Sequence, residues 1–519
     1  MNENHMEQDP FISVREVTLC CPNAGYWNDM SPELKRKYFM PYWSEARLRR
    51  HMEMMKVFGF NSIQVSAAGQ IAMNSGVRQD VWREKLVLIC RLARELGLGV
   101  TQFVWGACFY DADRNAFVTD MDWHNPADRK RMEDFFRKEA FLAPWVGRVV
   151  THWVDPGGPK PGCAQCSMDT TVEIHNTILS IFREHNPQIR GAYSNWQMNW
   201  MSDEWPSEGG WQPGHWPGYK GVRALAGHPG LDRNSDIVIG RANGNFGDKA
   251  TDRYATSTIK LSDLEAIAAA GRRAGVWSWY TTDVEIRPAL HVRTAFIQDY
   301  FNRMPDQVRD ELSWMSVDDN CHGLNMQNLY IAGRLMQDRR QDANVLLDEF
   351  AVILMGKAHA AAVAQALRAI EQVRGSDAPY LNLGGCDLAA LPQSEKDSKH
   401  LPLEWVQDNL ANIERAIHSL TPVFVESGFK PSLPLTISPD EYLGELRAHL
   451  DAIRQFLAFL DESAKVVRLA SQKAPAERID AAIQALPQVI YDPAHTAGLE
   501  AMLLYRPKLA ALKNVVQGK

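Results

Sequence analysis

The amino-acid sequence predicts an α/β chain, a (β/α)₈ TIM barrel followed by an all-α helical C-terminal domain. Three observations carry that prediction. Eight short runs rich in β-branched and aromatic residues recur between residues 14 and 318, with amphipathic helical patterns between them. No run is followed by a GxGxxG or P-loop turn, which weakens the open doubly wound alternative. Beyond about residue 340 the alternation stops and only long helical patterns remain.

The strand candidates, in order, are VREVTLCC (14–21), NSIQVSA (61–67), GVTQFVWG (99–106), VVTHWVD (149–155), IRGAYSNW (189–196), DIVIGRA (236–242), GVWSWYTT (275–282) and LSWMSVD (312–318). The helical segments 44–59, 81–97, 171–186 and 261–275 carry apolar residues at i, i+3 and i+4, and several end in glycine just before the next strand. Residues 197–234 show little helix, so the fifth connection is an excursion. The barrel is assigned to 1–338 and the helical domain to 339–519. Within the latter, DANVLLDEFAVILMGKAHAAAVAQALRAIEQVR, PLEWVQDNLANIERAIHSL and PDEYLGELRAHLDAIRQFLAFLDESAKVVRLA are continuous helical patterns.

Composition narrows the partners. With 519 residues, 45% hydrophobic and 23% charged, the chain has the profile of a soluble globular protein of two or three domains. A formal charge of −7 without a basic run argues against nucleic acid or an anionic membrane as partner. The polar start MNENHMEQDP and the lack of a long apolar stretch make the cytoplasm the expected location. Eight cysteines in a chain this long form no disulfide framework, and Cys163/Cys166 lack a second pair for zinc.

In such a barrel, chemistry sits at the C-terminal strand ends. Those ends gather Trp105 after the third strand and His152 and Asp155 at the fourth. They continue with Asn195, Trp196 and Trp200 at the fifth, Arg241 and Asn243 at the sixth, Trp279, Tyr280, Asp283 and Glu285 at the seventh, and Asp319 at the eighth. Five tryptophans crowd the Gly/Pro-rich stretch 191–219. Indole faces beside short polar side chains suit a pyranose, whose C–H face packs on rings while its hydroxyls need donors and acceptors. A use of the same rings in pinning the excursion or in a homodimer contact is the bland alternative.

Glycoside hydrolysis needs two carboxyl groups across the scissile bond. Asp155, at the fourth strand end, and Asp283 or Glu285, at the seventh, are the candidates, with Asp318 and Asp319 at the eighth an alternative pair or a capping cluster. Each has a structural alternative: Asp155 capping the turn DPGG, Asp283 initiating the next helix, and Glu285 pairing with Arg287 or Arg293. Trp105, His152, Asn195, Trp196, Trp200, Arg241, Asn243, Trp279, Tyr280 and Asp319 are assigned to substrate. No metal ligand set is assigned, because the His-x-His pattern of metal-dependent barrel hydrolases is missing.

The stretches WSWYTTDVEIRPALHV (277–292), GLNMQNLYIAGRLMQDRRQDANVLLDEFAVILMG (323–356) and MKVFGFNSIQVSA (55–67) resemble barrel glycoside hydrolases with a helical C-terminal domain, the group including α-glucuronidases and barrel N-acetyl-β-glucosaminidases. The resemblance implies hydrolysis of oligosaccharides or small glycosides by two carboxylates, with no cofactor. Asp155 is followed by Pro156 rather than a second acid, so direct displacement or inversion is expected over participation by an N-acetyl group. A metal-dependent sugar isomerase and a non-catalytic carbohydrate-binding protein are the competing expectations.

Overall fold

The structure is a computed structural model that describes residues 10–19, 30–65, 78–106, 109–111, 116–118, 121–152, 167–194, 221–240, 261–278, 290–304, 306, 312–319, 323–374, 388 and 403–518. In chain order its barrel region holds β1 (Val14–Leu19), α1 (Pro32–Tyr38), α2 (Glu45–Val57), β2 (Ser62–Val65), α3 (Gln79–Glu95), β3 (Gly99–Trp105), β4 (Phe109–Asp111), β5 (Ala116–Val118) and α4 (Pro126–Glu139). There follow β6 (Arg148–His152), α5 (Met168–Arg183), β7 (Arg190–Ser194), α6 (Gly221–Ala226), β8 (Ser235–Gly240), α7 (Leu261–Ala269), β9 (Ala274–Ser278), α8 (Thr294–Asn302), β10 (Leu312–Asp318) and α9 (Met326–Gln337).

Eight strands close a barrel in the order β1-β10-β9-β8-β7-β6-β3-β2. All its neighbours are parallel. The eight runs read from sequence are these eight strands. The antiparallel pair β4–β5, which turns Tyr110 and Asp111 into a hairpin after the third strand, was not anticipated. Its strands are only three residues each, too short to show an alternation.

The two faces of each strand build two cores. Outward residues such as Val17, Ile63, Val104, Ile237 and Val317 pack with the surrounding helices in one large cluster. Inward Phe103, Val150, Ala192, Val238, Trp277 and Trp314 form a separate cluster inside the barrel. Gly275 is needed there because a Cβ on it would lie 2.0 Å from Trp314 Cε3. Helix ends follow local chemistry. Ser44 caps α2 through Arg47 N, Asn125 caps α4, and Gly97 after α3 takes φ +75°, which favours glycine.

The helical region contains α10 (Ala343–Met355), α11 (Ala360–Arg374), α12 (Leu403–Phe424), α13 (Pro439–Ser471), α14 (Ala476–Gln484) and α15 (Thr496–Val516). The pattern over 342–374 is two helices, divided at Gly356, whose φ of +75° ends the first. Helices α14 and α15 lie beyond the segments expected. Long α13 begins at a capping box made by Ser438 and Glu441. It also joins the barrel: Tyr442 Oη donates to Gln327 at 2.8 Å, and the Leu290 N–H donates to His449 Nε2 at 2.8 Å. No helix among the described residues is long and apolar enough to cross a membrane.

Candidate active site

The inner faces of the strands divide the barrel into a polar wedge and an aromatic wedge. Toward β1, β2 and β10, the polar inward side chains are Glu16, Thr18, Ser62, Gln64 and Ser316. Glu16 accepts from Thr101 Oγ1 at 2.6 Å, Ser62 Oγ at 2.8 Å and Gln64 Nε2 at 3.1 Å. Burial pushes its carboxyl up, opposed by the charge of Arg148 and by hydroxyl donors. Arg148 lies over the Trp314 ring at 5.0 Å and 3.5 Å from Asp236, which Arg190 and Arg273 also contact. Arg148, Arg190 and Asp236 sit at or near the N-terminal strand ends, the face where barrels store stability.

Two layers above, at the C-terminal ends, the aromatic wedge becomes a floor. His152, 2% exposed, lies 4.3 Å from Phe103, 5.3 Å from Trp105 and 5.0 Å from Trp277, centroid to centroid. Its Nδ1 and Ser194 Oγ are 3.1 Å apart, so the imidazole is oriented by a hydrogen bond as well as by rings. Burial holds His152 neutral, well below the usual histidine range. A neutral imidazole here can orient a hydroxyl or fix neighbouring rings; it is no proton donor of the imidazolium kind near pH 7. Trp105 is the ring of this set that keeps partial exposure, and its buried indole N–H has no acceptor among the described residues.

The floor links the strand ends that matter. His152 closes β6 and Trp277 precedes the last residue of β9, with β7 and β8 between them in the barrel wall. The rings therefore meet through the barrel interior rather than along the sheet. Phe103, Ser194 and Trp277 were not singled out from sequence. Their signal was a spacing of two in the sequence: Phe103 lies two before Trp105, and Trp277 two before Trp279.

Of the side chains assigned to substrate, the structure brings Trp105 and His152 together on this floor. Asp319 lies elsewhere. Following β10, it is fully buried, with its carboxylate 3.2 Å from His51 Nε2 of α2. That joins the strand to an outer helix, because its parity is that of outward-facing Val317. The expected catalytic Asp155, Asp283 and Glu285 fall outside the described residues, as do Asn195, Trp196, Trp200, Arg241, Asn243, Trp279 and Tyr280. So do Cys163 and Cys166. Among the described residues, no group of three or more His, Cys, Asp and Glu could hold a metal ion.

No protein-family model matches the chain, and no curated protein matches it in sequence. Solved structures do. One is a GH138 enzyme targeting pectin rhamnogalacturonan II, at 12% identity and TM-score 0.52 over 98% of this chain and 78% of that one. The fold is similar to that of a glycoside hydrolase. CpGH84B (11% identity, 98% and 77% of the two chains) has a TM-score of 0.49. For a mutant O-GlcNAc hydrolase from Thermobaculum terrenum (10%, 98% and 94%) it is 0.47. At such identities the similarity is one of fold.

Proposed function

We propose that this chain is a glycoside hydrolase, acting on oligosaccharides or small glycosides through two carboxylates at the barrel mouth. The observation that carries the reading is the ring contact between His152 and Trp277, which unites the fourth and seventh strand ends in one floor. Asp155 follows His152 by three residues, and Asp283 follows Ser278 by five. In the proposed reaction one carboxylic acid protonates the glycosidic oxygen as the C–O bond breaks. The other carboxylate either attacks the anomeric carbon or takes a proton from the attacking water.

The neutral, ring-lined floor supports a sugar, whose C–H face packs on Trp105 while hydroxyls reach Asn195, Arg241 and Asn243. The similarity to a GH138 enzyme is of fold, and supports a carbohydrate substrate without naming the sugar. The test is a panel of aryl glycosides and natural oligosaccharides, with the product anomer followed by NMR and a chelator control. Hydrolysis unaffected by chelator is the expected result. Activity lost with chelator and restored by a divalent metal would replace the reading with a metal-dependent one, and binding without turnover would leave only carbohydrate recognition.

A further inference from the structure

Asp319, His51 and Thr436 come from three distant parts of the chain and meet in a fully buried contact. Asp319 is the first residue after β10, His51 lies mid-way along α2, and Thr436 belongs to the segment leading into α13. His51 Nδ1 shares a hydrogen bond with Thr436 Oγ1 at 2.7 Å, and its Nε2 lies 3.2 Å from Asp319 Oδ2, at ion-pair distance but outside hydrogen-bond geometry. Trp43 stands edge-on to the imidazole at 5.3 Å, and Thr436 Oγ1 also reaches Met54 Sδ at 3.2 Å. The relative exposures are 0% for Asp319, 0% for His51 and 2% for Thr436.

We infer that Asp319, His51 and Thr436 form a strap through which the helical region sets the position of the eighth strand's exit at the barrel mouth. Asp319, His51 and Thr436 are therefore positioning residues. The inference rests on the mouth being the site of reaction. Its physical basis is that a buried carboxylate needs a polar partner, and a buried imidazole has only two nitrogens to offer. With one nitrogen facing Thr436 and the other facing Asp319, the ring cannot turn without losing both contacts. The strand end is held on its other side by the ladder: the Asp319 N–H donates to Thr18 O at 2.9 Å, in register with Thr18↔Asp318. Side-chain strap and backbone bond thus fix the same residue, where the chain leaves the barrel wall.

Thr436→Val removes the hydroxyl while keeping the shape, and Thr436→Ser is the conservative rescue. Two readouts are needed. Hydrogen exchange at the Asp319 amide, which needs no substrate, is expected to speed up in the valine variant and return toward wild type in the serine variant. With a glycoside that the wild type hydrolyses, kcat should fall about ten- to a hundredfold in the valine variant, with KM little changed. Should the wild type hydrolyse none, the function proposed above fails, and amide exchange alone decides the strap. Unchanged exchange at Asp319 in Thr436→Val overturns it, as does unchanged kcat where an activity exists. His51→Gln serves as a second variant; where it fails to fold, the Thr436 pair carries the test.

Discussion

His152 and Trp277 stand ring to ring, 5.0 Å apart at an interplanar angle of 90°, although 125 residues and two intervening strands separate them in the barrel. An edge-to-face contact of this kind contributes about 0.5–1.5 kcal/mol beyond area burial. It also fixes two strand ends relative to each other. Trp277→Ala should cost roughly 3–5 kcal/mol through the cavity it leaves. Denaturant titration would show a lowered midpoint; a midpoint within error of wild type would mean that the floor is not a packed core.

The ring of His152 should not titrate in the neutral range, since burial disfavours its charged form. NMR of the imidazole should show no titration through the usual histidine range. A titration near 6.5 would place the ring in water.

Acid stability has two named contributors of the same sign. Burial lowers His175 from 6.5 to about 3, so the unfolded chain takes up its proton first, and stability falls as pH drops from 6.5 toward that value. Burial alone would raise Glu445, but the hydrogen bond from His495, the charge of Lys37 and the Tyr38 hydroxyl bring it to about 2. Its contribution is complete above 4.5 and is lost as pH falls toward 2. His495 acts oppositely: the hydrogen bond to Glu445 raises it, so its share is present below 6.5 and fades as pH rises through the raised value. Urea midpoints measured from pH 3 to 8 should drop toward acid, and Glu445→Gln should flatten the part below about 4.5.

Glu445 is also the bolt between barrel and helical region. It accepts from Tyr38 Oη at 2.6 Å, Lys37 Nζ at 3.2 Å and Thr496 Oγ1 at 3.1 Å, with no side-chain exposure of its own. Glu445→Leu leaves those donors without their acceptor and should cost about 2–4 kcal/mol. Thermal unfolding checks it. An unchanged transition would show that the joint adds nothing.

Trp196→Ala and Trp200→Ala should mainly raise KM, since a ring that packs on ground and transition states alike gives uniform binding. Steady-state kinetics separates the two constants. Unchanged constants in both variants would return those rings to a structural role.

The barrel was legible because each strand alternates or runs apolar for several residues and each connection carries a helical stripe. What escaped had weak local signals. The hairpin Phe109–Asp111/Ala116–Val118 is too short for a period, and the break at Gly356 sits inside an otherwise continuous apolar pattern. At the candidate site, Trp105 and His152 were visible as aromatic and polar residues ending strands. Phe103 and Trp277 looked like ordinary strand interior, because a barrel interior and a barrel exterior are both apolar. Asp319 shows the converse: one residue's difference in parity turns a strand-end acid from the mouth toward α2. His51 was hidden in a helical stripe with Leu48, Met52 and Met55, where nothing local marks a polar partner 268 residues away.

In the proposed reaction, acids leaving the fourth and seventh strand ends act on one glycosidic bond. Steady-state hydrolysis by Asp155→Asn, set beside the wild type on the best glycoside of the panel, tests it most directly. A fall in kcat/KM of about 10²–10⁴-fold is expected, with an unaltered circular dichroism spectrum and melting transition. Wild-type kcat/KM in that variant would contradict it.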